Sequence, residues 1–240
     1  MVNVRYRRIL NDRSAKASYF LCRAVRLITP VKGADLRVER FSYPQGKLLA
    51  APVPKVASRT IKETFSTLNA AGVQFESECE PSEIRSTFPD YFVFSFVRNP
   101  WARIHSCWKD KVADAVTLGK ISILSRFEGL RPFMPFEEFV EWLDSEYGRD
   151  EIADRHWLSQ VRHLSDSSGA AVCDFVGRLE EFERGLAEIE RLTGISLPRV
   201  EERNTKGNRS DYRQAFNERS RRIIERRYGQ DIEAFGYQFA

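Results

Sequence analysis

The chain has 240 residues, 42% of them hydrophobic and 30% charged, with a formal net charge of +4. That balance excludes a disordered polymer and leaves material for one substantial core. The mildly basic charge favours anionic ligands without requiring nucleic acid, and no apolar run approaches the roughly 18 residues of a membrane-spanning helix.

Residues 1–30 are Arg-rich with a weak helical pattern, and read either as an amphipathic helix packed on the domain or as a loose arm. Their best leader candidate, Ala17 to Ile28, is broken by Arg23 and Arg26 and lacks a small-residue cleavage pattern. The expectation is a cytoplasmic chain without an integral anchor, with peripheral membrane contact left open. A single domain is expected, with residues 1–45 as an N-terminal extension and 46–240 as the core. The cysteines, Cys22, Cys79, Cys107 and Cys173, are scattered, with no C-x-x-C pair and no histidine at metal spacing. They read as reduced, mostly buried thiols, and no metal is expected.

Val38 to Tyr43 reads as a short strand. Leu48 to Val53, an apolar run closed by Pro54, reads as a buried one. From Arg59 to Leu68, Ile61, Phe65 and Leu68 recur at helical spacing until Gly72 stops the helix. Residues 74–90 are acidic and turn-rich, carrying Glu78 and Glu80 among others, and read as a loop. Tyr91 to Val97 is the clearest strand: its aromatic and β-branched run suits a central strand covered on both faces. Pro100 opens the next helix, where a missing N–H costs nothing. There Trp101, Ile104, Trp108, Val112 and Ala115 form an apolar stripe, and Arg103, Ser106 and Asp110 fall on the opposite, exposed face. The remaining elements are a helix from Pro135-Phe136, a strand from Val172 to Leu179, a helix from Glu180 to Thr193, and one long polar helix from Ser210 to Tyr228. Strands alternating with helices imply an α/β sandwich, P-loop-like, with a central, mainly parallel β-sheet flanked by helices.

Two strand-to-helix junctions concentrate the chemistry. In the first, Pro54-Lys55-Val56-Ala57-Ser58-Arg59-Thr60 places an ammonium, two hydroxyls and helix N-terminal amides where a strand ends. It is not a Walker A loop, because Ala50 to Thr60 contains no glycine. In the second, Arg98 ends the central strand and Ser106 lies on the following helix. Helix N-termini carry free N–H groups and a positive dipole end, so both junctions suit anions. Open α/β sheets bind ligands at the C-terminal ends of their strands, which favours the pair acting together. The plainer reading of each is local: a snorkelling lysine with a serine cap, and a surface arginine beside a solvated serine.

The same residues resemble a known family. Pro54 to Thr60 is similar to the 5′-phosphosulfate loop of carbohydrate sulfotransferases. Phe96-Val-Arg-Asn-Pro-Trp-Ala-Arg-Ile-His-Ser-Cys-Trp-Lys-Asp-Lys111 is similar to their 3′-phosphate motif. Weaker likeness appears at Asp154-Arg-His-Trp157 with Gln160, at Cys173 to Glu180, and at Phe235 to Phe239. The subgroup most resembled is sulfotransferase family 2, with chondroitin 4-O- and HNK-1-type enzymes and bacterial relatives. The resemblance implies a metal-independent O-sulfotransferase of the EC 2.8.2 type. Its donor would be 3′-phosphoadenosine 5′-phosphosulfate (PAPS), its product adenosine 3′,5′-bisphosphate, and its acceptor a carbohydrate or glycoconjugate. It implies that Lys55, Val56, Ala57, Ser58, Arg59 and Thr60 hold the 5′-phosphosulfate, and that Arg98 and Ser106 hold the 3′-phosphate. Asn204, Thr205 and Lys206 would close over the nucleotide. Animal relatives are anchored Golgi proteins; the expectation of a chain without an anchor would point to a bacterial-type cytoplasmic enzyme.

Lys55 would stabilise charge on the leaving oxygen. His156 is the first choice for the acceptor's base, since imidazole titrates near neutrality and its His-Trp pair fits the family pattern. Glu78 and Glu80 are the rivals, from the acidic stretch between the junctions. Trp101 and Trp108 read as core rather than as an adenine platform, and His105 as structural. The competing readings are a P-loop-type nucleotide kinase, which the missing glycines disfavour, and a non-catalytic polyanion-binding protein.

Overall fold

The computed structural model describes residues 33, 34, 36–69, 76–115, 117–200 and 212–239. The expectations for residues 1–30 and for Cys22, Asn204, Thr205 and Lys206 lie outside the described residues. Strands β1 (Val38–Tyr43), β2 (Leu48–Ala50), β3 (Glu76–Cys79), β4 (Phe92–Val97) and β5 (Phe175–Arg178) form one sheet in the order β3-β1-β2-β4-β5. β2, β4 and β5 pair in parallel, and β1 runs antiparallel to both β2 and β3. Among these five strands β1 alone opposes the common direction. The sheet takes up β1, so the core reaches back into the segment read as an N-terminal extension.

Around the sheet lie α1 (Ser58–Leu68), α2 (Pro81–Thr87), α3 (Pro100–Cys107), α4 (Leu118–Ser125), α5 (Phe136–Leu143), α6 (Gln160–Leu164), α7 (Phe182–Thr193), α8 (Glu218–Arg227) and α9 (Gly229–Phe235). The period-2 alternation of the strands sends side chains to both faces. Phe94 and Phe96 of β4 pack with Ile61 and Phe65 of α1 and with Phe182 and Leu186 of α7. Val93 turns the other way, with Leu49, Ala51 and Ile84 of α2. β4 is thus covered on both sides, as its continuous apolar run requires. Its large rings force small neighbours: a Cβ on Gly185 would sit 2.4 Å from the Phe96 ring. Beyond the sheet, α3, α5 and α8 build a helical core that buries Trp101, Ile104, Phe139, Trp157 and Ile224.

Some boundaries differ from the sequence reading. Residues 76–87 are not a loop but edge strand β3 and helix α2. The third strand is shorter, Phe175–Arg178, and Leu179–Glu181 is a tight turn. The long C-terminal helix is divided: Tyr212–Ala215 is a separate turn, α8 starts after Asn217, and α9 begins at Gly229. Asn217 accepts the Ser220 N–H while the Ser220 hydroxyl accepts the Asn217 N–H, a reciprocal cap that starts a new helix there.

Candidate active site

The parallel strands deliver both junctions to the same edge of the sheet. After β2, Val53 and Val56 are fully buried and anchor the loop. Between and beyond them, Lys55 (φ 72°) and Ala57 (φ 48°) adopt left-handed conformations without being glycine. Such residues cost about 1–3 kcal/mol each and persist where the surroundings enforce them, often at functional sites. Part of that enforcement is visible. Arg103, only 1% exposed, donates from Nε to the Pro54 carbonyl at 3.1 Å and from Nη1 to the Leu158 carbonyl at 2.8 Å. The face of α3 expected to be solvent-exposed therefore covers the loop. Arg103, which the sequence pattern places only on that exposed face, ties the loop to the segment bearing His156.

The α1 N-terminus is open. Ala57 gives it no side-chain cap, and its first backbone bond runs from the Ile61 N–H to the Ala57 carbonyl. The amides of Ser58, Arg59 and Thr60 find no backbone acceptor among the described residues, so they and the dipole end face an anion-ready space. Ser58 is half-buried, Arg59 exposed and Thr60 buried. The α3 N-terminus differs from expectation. Asn99 Oδ1 accepts from the Trp101 and Ala102 amides at 3.1 and 3.3 Å, so those two are already occupied.

At the second junction the charge comes from Arg98 itself. The Gln160 carboxamide grips its backbone, accepting from the Arg98 N–H and donating to the Arg98 carbonyl, both at 2.9 Å. Asp231 in turn holds the amides of Gln160 and Val161 at 2.9 Å. The Arg98 guanidinium is within 3.4 Å of the Lys55 carbonyl, so the two junctions touch. Among the described residues no carboxylate forms an ion pair with Arg98. Burial lowers its pKa, with Glu180 and two tyrosines opposing, and an arginine stays charged under such a shift. Ser106 is half-buried, and its hydroxyl makes no hydrogen bond among the described residues.

Lys55 Nζ meets Asp110 Oδ2 at 3.0 Å; Lys111 and Lys120 reach the same carboxylate at 3.4 and 3.0 Å. Asp110 lies in a π-helical turn, Trp108–Ala113, that continues α3. Burial would raise this carboxyl, but Lys55, with Lys120 and Lys111, holds it well below the usual carboxylate range.

His156 forms a dyad with Asp154, Nδ1 to Oδ1 at 2.5 Å, and its side chain is 16% exposed. Asp154 is 2% exposed. Burial would raise its pKa, and hydrogen bonds from the His156 ring and amide, with Arg126 nearby, keep it lowered and ionised. Burial also lowers the His156 pKa below 6.5, with Asp154 opposing and Lys111 assisting. The imidazole is therefore neutral at pH 7. With Nδ1–H given to Asp154, Nε2 keeps its lone pair and no partner among the described residues.

Glu78 and Glu80 are placed elsewhere. β1 separates the strand of Glu78 from β2, and no hydrogen bond or ion pair joins Glu78 or Glu80 to Lys55, Asp110 or His156 among the described residues. Glu80 is the N-cap of α2 in a reciprocal box with Glu83, its amide donating to Glu83 Oε2 at 2.7 Å. An open groove of about 890 Å³ includes Glu80 in its lining but not Lys55, Arg98 or His156. His105 packs tilted against Trp108 and edge-on against Phe136, and Trp101 is core, as read from sequence.

Residues 41–238 match the Sulfotransferase family. The chain belongs to that family. Human carbohydrate sulfotransferase 10 is 26% identical over 241 residues, covering 82% of this chain and 66% of the human protein. Carbohydrate sulfotransferase 14 of Danio rerio is 26% identical over 210 residues, 74% of this chain and 54% of that protein. The Mus musculus form is 29% identical over 166 residues, 60% and 43%. The chain thus spans just under two thirds of the length of the first of these relatives. No solved structure matches it significantly. Among the described residues, no helix is long and apolar enough to cross a membrane.

Proposed function

We propose that this sulfotransferase moves the sulfuryl group of PAPS to a hydroxyl of a carbohydrate or glycoconjugate. The observation that carries the reading is the meeting of the two junctions. An uncapped helix N-terminus with Lys55 lies against an arginine that forms no ion pair among the described residues, its guanidinium 3.4 Å from the Lys55 carbonyl. A nucleotide with phosphate-type groups on both its 5′ and 3′ positions fits such a pair. The donor set agrees chemically: amides, ammonium and hydroxyl at one end, guanidinium and hydroxyl at the other.

When bound, PAPS supplies the sulfuryl group and a bisphosphate leaving group. The protein's part is positioning and charge stabilisation. The amides of Ser58, Arg59 and Thr60 hold the 5′ end against the positive end of α1, while Arg98 and Ser106 fix the 3′ end. Lys55 neutralises the charge that collects on the bridging oxygen as its bond to sulfur breaks. His156 Nε2 takes the acceptor hydroxyl's proton as that oxygen bonds to sulfur, and Asp154 stabilises the resulting imidazolium.

A thermal-shift comparison tests the donor, and radiolabelled sulfate transfer to a glycan panel tests the acceptor. The reading predicts selective stabilisation by adenosine 3′,5′-bisphosphate over ATP and heparin, with label appearing in a glycan. Equal stabilisation by any polyanion, with no transfer, contradicts it.

A further inference from the structure

Three ammonium groups converge on one carboxylate at the mouth of the site: Lys55 and Lys120 at 3.0 Å and Lys111 at 3.4 Å from Asp110. They come from three separate segments: the loop after β2, the π-helical turn, and α4. Without a shared anion, these like charges would repel one another and splay. Lys55 is also held in a left-handed backbone conformation, φ 72°, so its stem leaves the loop in an uncommon direction that a distal partner must hold.

The π-helical turn supplies that partner. A π turn inserts one residue into a helix and rotates the residues beyond it, and such insertions recur at functional sites. Here the Asp114 amide bonds to the Lys109 carbonyl at 3.2 Å, the wider spacing of that turn. Val112 remains fully buried in the helical core while Asp110 meets the loop. The carboxylate is 30% exposed, and the lysines are between 17% and 23% exposed, so water screens the cluster incompletely.

We propose that Asp110 is a positioning residue for sulfuryl transfer: it gathers Lys55, Lys111 and Lys120 into one cationic cluster and fixes the Lys55 ammonium in its working place. The inference rests on the donor reading above. An ammonium has three protons, so Lys55 can keep its bond to Asp110 and still donate to an oxyanion.

The test is a double-mutant cycle on the full chain, combining Asp110→Asn with Lys55→Ala, with Asp110→Glu as the conservative rescue. For Asp110→Asn we expect about a 10-fold or greater loss of kcat at saturating donor, with the Kd for adenosine 3′,5′-bisphosphate moved by less than about 3-fold. Asp110→Glu should recover part of the kcat. In the Lys55→Ala background the same asparagine change should cost almost nothing, because Asp110 acts through Lys55. The proposal is overturned if Asp110→Asn keeps kcat within about 2-fold, or if its loss is undiminished in the Lys55→Ala background. It is also overturned if kcat, bisphosphate affinity and melting temperature fall together without recovery in Asp110→Glu. A wild-type chain that neither binds the bisphosphate nor transfers sulfate fails earlier, at the donor reading itself.

Discussion

At the β2–α1 junction the helix amides are open; at the β4–α3 junction two of them are already taken. Both junctions extend a parallel strand to the same sheet edge, and both end in a cationic side chain. In the first, the backbone can act as the anion ligand, because Ala57 offers no cap and left-handed residues turn the loop without glycine. In the second, Asn99 caps the helix and Arg98 brings the charge as a side chain braced by Gln160. The difference suits two tasks. A group that reacts needs many preorganised donors around it. A phosphate that only anchors needs one strong, geometrically fixed fork.

The largest effect should come from removing Lys55. Lys55→Ala should lower turnover by about 1,000-fold, the loss of one preorganised charge-stabilising contact, with the melting curve nearly unchanged. Steady-state kinetics beside calorimetry checks both halves. Next, His156→Ala should lower kcat/KM by about 100-fold. The neutral imidazole is the reactive form and burial lowers its pKa from the ordinary histidine value, so wild-type activity should fall on acidification, at a pH more acid than a free imidazole would give. The pH–rate profile of His156→Ala should lack this acid limb, while Glu78→Gln and Glu80→Gln should keep it. Arg98→Ala should raise the donor KM by about 10-fold and change kcat far less, the pattern of lost uniform binding.

The smallest effects separate the junctions most cleanly. Asn99→Ala should cost about 1 kcal/mol in denaturant unfolding, since a real cap is lost. Ser58→Ala should leave stability within about 0.5 kcal/mol, because no cap bond exists to lose. It should weaken bisphosphate binding instead, read by titration calorimetry. If these two variants behave alike, the contrast between the junctions is wrong.

The sheet and the junctions were legible because their signals are local. Continuous apolar runs marked β2 and β4, and the helical stripe of Trp101, Ile104 and Val112 marked the face of α3 that packs inward. What escaped depends on tertiary placement. β3 and α2 are hidden in an acidic stretch because an edge strand buries little and carries charge on its open side. The Glu80–Glu83 box that starts α2 was nonetheless present as E-x-x-E, and Asn217 with Ser220 marked the break before α8. The helical spacing puts Asp110 and Arg103 on one face but reads that face as meeting water, whereas both side chains meet the loop after β2. Only the fold shows that the loop after β2 lies over it. Gln160 stood within the family resemblance, but its grip on Arg98 spans 62 positions and no local pattern encodes it.

The central claim is that one nucleotide is held at both ends by these two junctions. Titration of adenosine 3′,5′-bisphosphate and of adenosine 5′-monophosphate into wild type and Arg98→Ala tests it most directly. The account predicts that wild type prefers the bisphosphate by about 10-fold or more and that Arg98→Ala binds the two nearly equally. A wild-type chain that binds them alike, or an Arg98→Ala chain that keeps the full preference, would contradict it.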